Sequence, residues 1–201
     1  GIKYHLRTGH PDHVVALHNF SGGYCGVVKV ENGVTNVSYL VNREVLQQYK
    51  NIAIMEKEVL FKNPLLREVL SAATPLFEAP LVINEISFET KSPVENHILM
   101  AGDSAGMITP LCGNGMGMAI HSAKILGDLV AGYCSGNLTR DNMEDQYRKR
   151  WNHEFATRLR IGRTVQRLFG SDLMSATAIS LIRHFRPLAE LIMRQTHGRI
   201  F

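Results

Sequence analysis

The sequence predicts an α+β chain in three stretches: a β-rich part over residues 1–95, a strand–loop–helix over 96–131, and a helical region over 132–201. Three observations carry this. The first forty residues hold Val-, Tyr- and Phe-rich runs punctuated by an Asn-Gly turn, which predicts antiparallel strands. A short apolar run ends in Gly102-Asp103 and is followed by small residues and spaced glycines. From Gly115 onward the apolar residues recur with the helical period.

Residues 13–20 ("HVVALHNF"), 23–31 ("GYCGVVKVE") and 34–41 ("VTNVSYLV") read as three strands of a meander, the last two joined through "ENG" at 31–33. Helices are predicted over 43–60 and 64–73, with Pro64 at a first helical position and Pro75 closing the second. "LVINEISFET" (81–90) alternates apolar and polar as a strand with one wet face does. "HILMA" (97–101) is continuously apolar, the pattern of a strand covered on both sides. Boundaries are expected near 92–96 and 132–138. In the helix from Gly115 to Ala131, Met116, Ala119, Ile120, Ala123, Leu126, Gly127 and Val130 share one face, expected to be the core side. His121, Lys124 and Asp128 fall opposite. After a loop over 132–137, a long helix is expected from Thr139, its N-cap, toward Phe169, then helices over 172–184 and from Pro187 to 196.

Composition narrows the function classes. Hydrophobic content of 45% and charged content of 20% fit an ordinary globular protein. Three cysteines without a Cys-x-x-Cys pair suit a reducing compartment, and the N-terminal residues lack a signal-peptide layout, so a cytoplasmic location is expected. From Arg140 onward 12 Lys or Arg stand against 6 Asp or Glu, a local charge of +6 within a net +4. That region is expected to present a solvated helical face, with peripheral contact to anionic membrane as the alternative. No nucleic-acid motif accompanies it. No metal-ligand spacing, nucleophile elbow or P-loop is present.

The chemistry concentrates at 101–120, "AGDSAGMITPLCGNGMGMAI". A carboxylate at the carboxyl end of a strand sits where open α/β sheets bind ligands, and accepts hydrogen bonds from sugar-like hydroxyls. Gly106, Gly113, Gly115 and Gly117 bare the backbone, and the helix that follows aims its positive end at the same place.

These residues resemble the second flavin-binding motif of the FAD-dependent oxidoreductases, the group of aromatic hydroxylases, flavin halogenases and geranylgeranyl reductases. The shared pattern is Gly-Asp-Ala-Ala/Gly, a Pro, then Gly-x-Gly and an Ala-rich helix, met here by Gly102, Asp103, Ala105, Gly106, Pro110, Gly113, Gly115 and Ala119. The resemblance implies that 96–131 is the closing part of an FAD/NAD(P)-binding α/β domain. It implies that Asp103 binds the ribitol of FAD, and that backbone at Gly113, Asn114, Gly115 and Met116 lies near the flavin ring. The wording is nearest to the geranylgeranyl reductases, with Cys112 in place of a Thr and Asn114 in place of a Glu. Upstream, Gly23 and Tyr24 match the start of the substrate-facing Gly-Tyr-x-Trp-x-Phe-Pro motif of those enzymes, which implies substrate contact by Tyr24. Gly26, Val28 and Lys29 depart from that motif.

The implied activity is hydride transfer from NAD(P)H through FAD to an activated double bond of a small or lipidic substrate. The alternative is flavin-dependent hydroxylation of an aromatic ring. The family's Gly-x-Gly-x-x-Gly turn does not occur in these residues. The expectation is therefore the C-terminal portion of a longer flavoprotein, inactive in isolation, or in that form a binding module without FAD.

Overall fold

A computed structural model describes residues 1–168, 177, 180, 181, 183–185, 187 and 190–192. The expected helices over 172–184 and 187–196 lie largely outside the described residues. The chain divides into two compact units, one built on residues 1–86 with 168–178 and the other on 87–167 with 179–201, which are described separately.

The first unit is an antiparallel sheet packed on short helices. Strands β1 (Ile2–Arg7), β2 (Val15–Phe20), β3 (Gly23–Lys29) and β4 (Thr35–Val41) pair in the order β2-β3-β4-β1. β1 was not expected as a strand. It pairs with β4 (Tyr4 opposite Val37), and its other edge takes two-residue pieces, β5 (Thr74–Pro75) and β6 (Leu81–Val82). The 23–31 and 34–41 meander forms in register, Tyr24 opposite Leu40, through a turn at Glu31–Gly33 in which Asn32 and Gly33 take φ of 60° and 69°. Asn and Gly tolerate those left-handed values. Of the expected 81–90 strand, Leu81 and Val82 pair with β1, and Ile83 N donates to Gly1 O at 2.8 Å.

The expected 43–60 helix is two helices, α1 (Arg43–Tyr49) and α2 (Ile52–Glu58). Lys50 takes φ 56° and closes α1 with its N–H on Leu46, and Asn51 then caps α2 by accepting from Ile54 N. An Asn cap competing with helix continuation makes the break. Asn63 caps α3 (Pro64–Ser71) through Leu65 N and also donates from Nδ2 to Asn19 O, 3.0 Å away, fixing the helix to β2. Met55, Val59, Leu60 and Leu66 thereby meet Ile2, Leu6, Cys25, Val27, Val37 and Tyr39 in one core. Inside it, the hydroxyls of Tyr4 and Tyr39 both donate to Glu56 Oε1, at 2.7 and 2.6 Å.

The second unit is built on two helices, α4 (Gly115–Cys134) and α5 (Arg140–Leu168). Thr139 caps α5 by accepting from Asn142 N at 3.3 Å. On α5, Met143, Tyr147, Trp151, Phe155 and Leu159 fall at every fourth position and are all buried. The expected strand at 97–101 is instead half of a two-residue hairpin, β7 (Val94–Glu95) with β8 (Ile98–Leu99). Asn96 and His97 turn it with φ of 49° and 63°, and Ile98 is exposed.

The face of α4 expected to be the core is the open one. Met116 is 83% and Ile120 62% exposed, while Met118, Ser122 and Leu129 are buried. His121, expected opposite the core, packs edge-on against Phe155 at 5.3 Å. The aromatic stripe of α5 decides this: Met118 and Leu129 join Phe155 and its neighbours in one core, with Leu126 packed against it.

Burial raises three tyrosine hydroxyls, with Glu56 adding to the effect at Tyr4 and Tyr39; Tyr147, which donates to Met100 O, is pushed up to about 12. A group with a raised folded pKa holds its stability below its unfolded pKa, ~10 for tyrosine, and loses it as pH rises from there. Urea midpoints are expected to be flat up to about pH 9 and to fall between about pH 10 and 12. A midpoint unchanged at pH 11 would contradict the burial of these hydroxyls.

Candidate flavin-binding lip

The residues singled out at 102–116 all lie in the second unit, and the structure divides them into an anchored set and an open set. Gly102 takes φ 63° and opens a short turn, Gly102–Ser104. Its N–H donates to Ser122 Oγ at 2.9 Å, and an added Cβ would stand 3.2 Å from Ala119 Cβ. A side chain there would push the turn off α4. Ser122, which sequence reasoning passed over, is therefore what fixes the turn to the helix. The only signal for it was a small polar residue in an apolar helix.

Ala105 is fully buried, and Gly106 lies under α5, where an added Cβ would meet Leu159 and Trp151 at 2.9 and 3.0 Å. Ile108, Thr109 and Cys112 continue the buried run. Cys112 Sγ lies 3.9 Å from Thr109 Oγ1, and burial raises its thiol pKa, which suits a packed, unreactive cysteine.

Asp103, Pro110, Gly113 and Met116 form the open set, all exposed. Among the described residues Asp103 has no ion-pair partner. Gly113 ends the Pro110–Cys112 turn at φ 64°, and a Cβ placed on it would meet nothing within 4 Å. Asn114 begins α4, its carbonyl accepting from Met118 N, and its side chain folds back beside Gly117, where a Cβ would stand 2.5 Å from Oδ1. The N–H groups of residues 115–117 have no helical carbonyl to pair with, as at every helix start. A solvent-facing carboxylate, a bare left-handed glycine and the positive end of a 20-residue helix thus come from one short segment.

Tyr24 belongs to the first unit. It is 5% exposed and points to the face of β3 opposite Cys25 and Val27, away from the core of that unit. Also missed by sequence reasoning is a polar clasp in the second unit. The buried Glu144 carboxylate lies 3.1 Å from His97 Nδ1 and accepts from Arg140 Nε, while Arg140 also donates to His97 O. Arg140, and then His97, hold the Glu144 carboxyl below the usual carboxylate range. The clasp fixes the β7–β8 hairpin onto α5.

No protein-family model matches the chain. Over 116 residues it is 30% identical to an uncharacterized protein of Methanocaldococcus jannaschii, a match covering 56% of this chain and 29% of that one. Over 102 residues it is 28% identical to a digeranylgeranylglycerophospholipid reductase of Methanococcus vannielii, covering 51% and 26%. The chain spans less than a third of the length of these two curated relatives. Among solved structures it is similar to a flavin-dependent brominase (TM-score 0.68, 13% identity, 98% of this chain and 49% of that one). It is also similar to an FAD-dependent myxobacterial chondrochloren halogenase (TM-score 0.59, 18% identity, 77% and 38%). The fold is the α+β fold shared with those flavin-dependent enzymes.

Proposed function

We propose that this chain is the substrate-sheet and flavin-lip portion of an FAD-dependent oxidoreductase. The observation that carries the reading is the open set at 103–116 on a chain whose fold is shared with flavin-dependent enzymes and whose partial sequence likeness leads to a reductase. The residues present fit such a cofactor. Asp103 is free to accept from a polyol hydroxyl, and Gly113 leaves its backbone approachable. The first turn of α4 favours an electron-rich ring edge.

In this reading FAD, when bound, supplies the redox chemistry, and NAD(P)H supplies its electrons. The protein positions. Asp103 orients the polyol chain, Ser122 and Ala119 hold the turn that carries Asp103, and the backbone of Gly113, Asn114, Gly115 and Met116 borders the ring. Tyr24 lines the sheet face offered to a small or lipidic substrate. Reduction of an activated double bond is favoured by the reductase among the sequence relatives. Oxygenation is the second reading, favoured by the halogenase and brominase folds. Turnover that continues without oxygen supports the first, and turnover that stops without it supports the second.

The test uses the protein at its natural length. It is expected to carry flavin absorbance, and Asp103→Ala is expected to weaken FAD binding roughly 10- to 100-fold, the value of one hydrogen bond to a charged group. A natural-length protein that neither carries nor takes up FAD would overturn the reading. Unchanged affinity in Asp103→Ala would remove that residue from the site.

A further inference from the structure

The C-terminal turns of α5 carry a second, separate concentration of chemistry. A cleft of about 520 Å³ lies between residues 88–90 and α5, entirely within the second unit, and Arg160, Arg163, Arg167, Thr164 and Gln166 line it. The spacing of three and four residues places the three guanidinium groups along one helical face. Elsewhere on α5, Arg140 and Arg158 pair with Glu144 and Glu154. In the cleft, no arginine has a carboxylate partner among the described residues, and Glu89 is the one acid on its walls.

Arg163 is already held in place. Its Nη1 donates to Thr90 Oγ1 at 2.9 Å and to Phe88 O at 3.4 Å. Its remaining N–H groups, with those of Arg160 and Arg167, are available as a planar donor array suited to an oxyanion. Thr164 Oγ1 donates to Arg160 O, so the hydroxyl is oriented by the helix.

We propose that this cleft binds a phosphate ester. Arg160 and Arg167 take the phosphate oxygens against the fixed Arg163. The site is independent of the flavin lip and stands or falls without it. The same chemistry is offered by a free metabolite or by a lipid headgroup at a membrane surface.

The test is calorimetric titration of the full chain at low salt with glycerol 3-phosphate and with sulfate, beside flotation on vesicles of phosphatidylglycerol and of phosphatidylcholine. Saturable binding of glycerol 3-phosphate or of phosphatidylglycerol vesicles is expected, and it should weaken roughly tenfold or more in Arg160→Gln/Arg167→Gln. Both side chains are exposed, so circular dichroism of that variant should match the parent. Sulfate is expected to compete for the same guanidinium groups, and glycerol 3-phosphate binding untouched by excess sulfate would overturn their assignment to the phosphate. Binding of the soluble ester without the vesicles assigns a free metabolite, and binding of phosphatidylglycerol vesicles alone assigns a headgroup. No binding of either probe, or equal binding by the double variant, overturns the proposal.

Discussion

Phe155→Ala is expected to destabilise the second unit by about 3–5 kcal/mol, the largest effect of any single truncation considered for this chain. Phe155 is fully buried at the centre of the α5 stripe. Its ring lies 5.5 Å from Trp151 and 5.3 Å from His121, both edge-on, and the Arg158 guanidinium sits 5.5 Å from its centroid. Alanine removes the apolar area and the aromatic contacts together, and leaves a cavity where α4 was seated. Domains of this size hold only ~5–15 kcal/mol in total, so much of the margin goes with one ring. Urea unfolding followed by circular dichroism measures it, with Phe155→Leu expected to lose less because volume is better kept. A loss under about 1 kcal/mol would mean that the α4–α5 seam is not what holds the unit.

Glu56→Ala is expected to cost the first unit about 2–4 kcal/mol, for a different reason. One carboxylate oxygen accepts from two tyrosine hydroxyls, and Tyr39 is 1% exposed. Removing the acceptor strands one hydroxyl in full burial and a second in half burial, each at the cost of its lost solvation. Glu56→Gln keeps an oxygen in reach and is expected to lose less. Tyr39→Phe removes donor and demand together and is expected to be milder than Glu56→Ala, because Glu56 keeps Tyr4. Thermal denaturation of the three variants gives the order. Equal loss for Glu56→Ala and Tyr39→Phe would show that burial of the hydroxyl is not what matters.

Much of this was legible in the residues, and the failures share a cause. The β3–β4 hairpin, the cap at Thr139 and the helix start at Pro64 are local: Asn-Gly, a capping side chain and a proline's fixed φ act on their own neighbours, so spacing suffices to find them. The Gly102–Gly117 segment was also legible, since a left-handed φ at Gly102 and Gly113 and close approach at Gly102 and Gly106 leave glycine as the residue that fits. What composition and period do not show is which of two apolar faces wins a contest. On α4, Met116 and Ile120 look as good as Met118 and Leu129 until the four-residue stripe of α5 is laid against them. Edge pairing failed likewise: β1 became a strand because β4, some thirty positions onward, lay beside it. The arginine cleft was visible only as surplus charge, because residues 88–90 lie some seventy positions upstream of the helix that they face.

The packing of Gly106 beneath Trp151 has an optical consequence. Trp151 is the chain's single tryptophan, 3% exposed and wedged between Gly106 and Phe155. Four of the six tyrosines, Tyr4, Tyr24, Tyr39 and Tyr49, lie in residues 1–86. Indole emission therefore reads the helical unit alone, and phenol absorbance reads mainly the sheet. Unfolding curves from the two chromophores will coincide if the units melt as one and separate if they do not, with no label added to either.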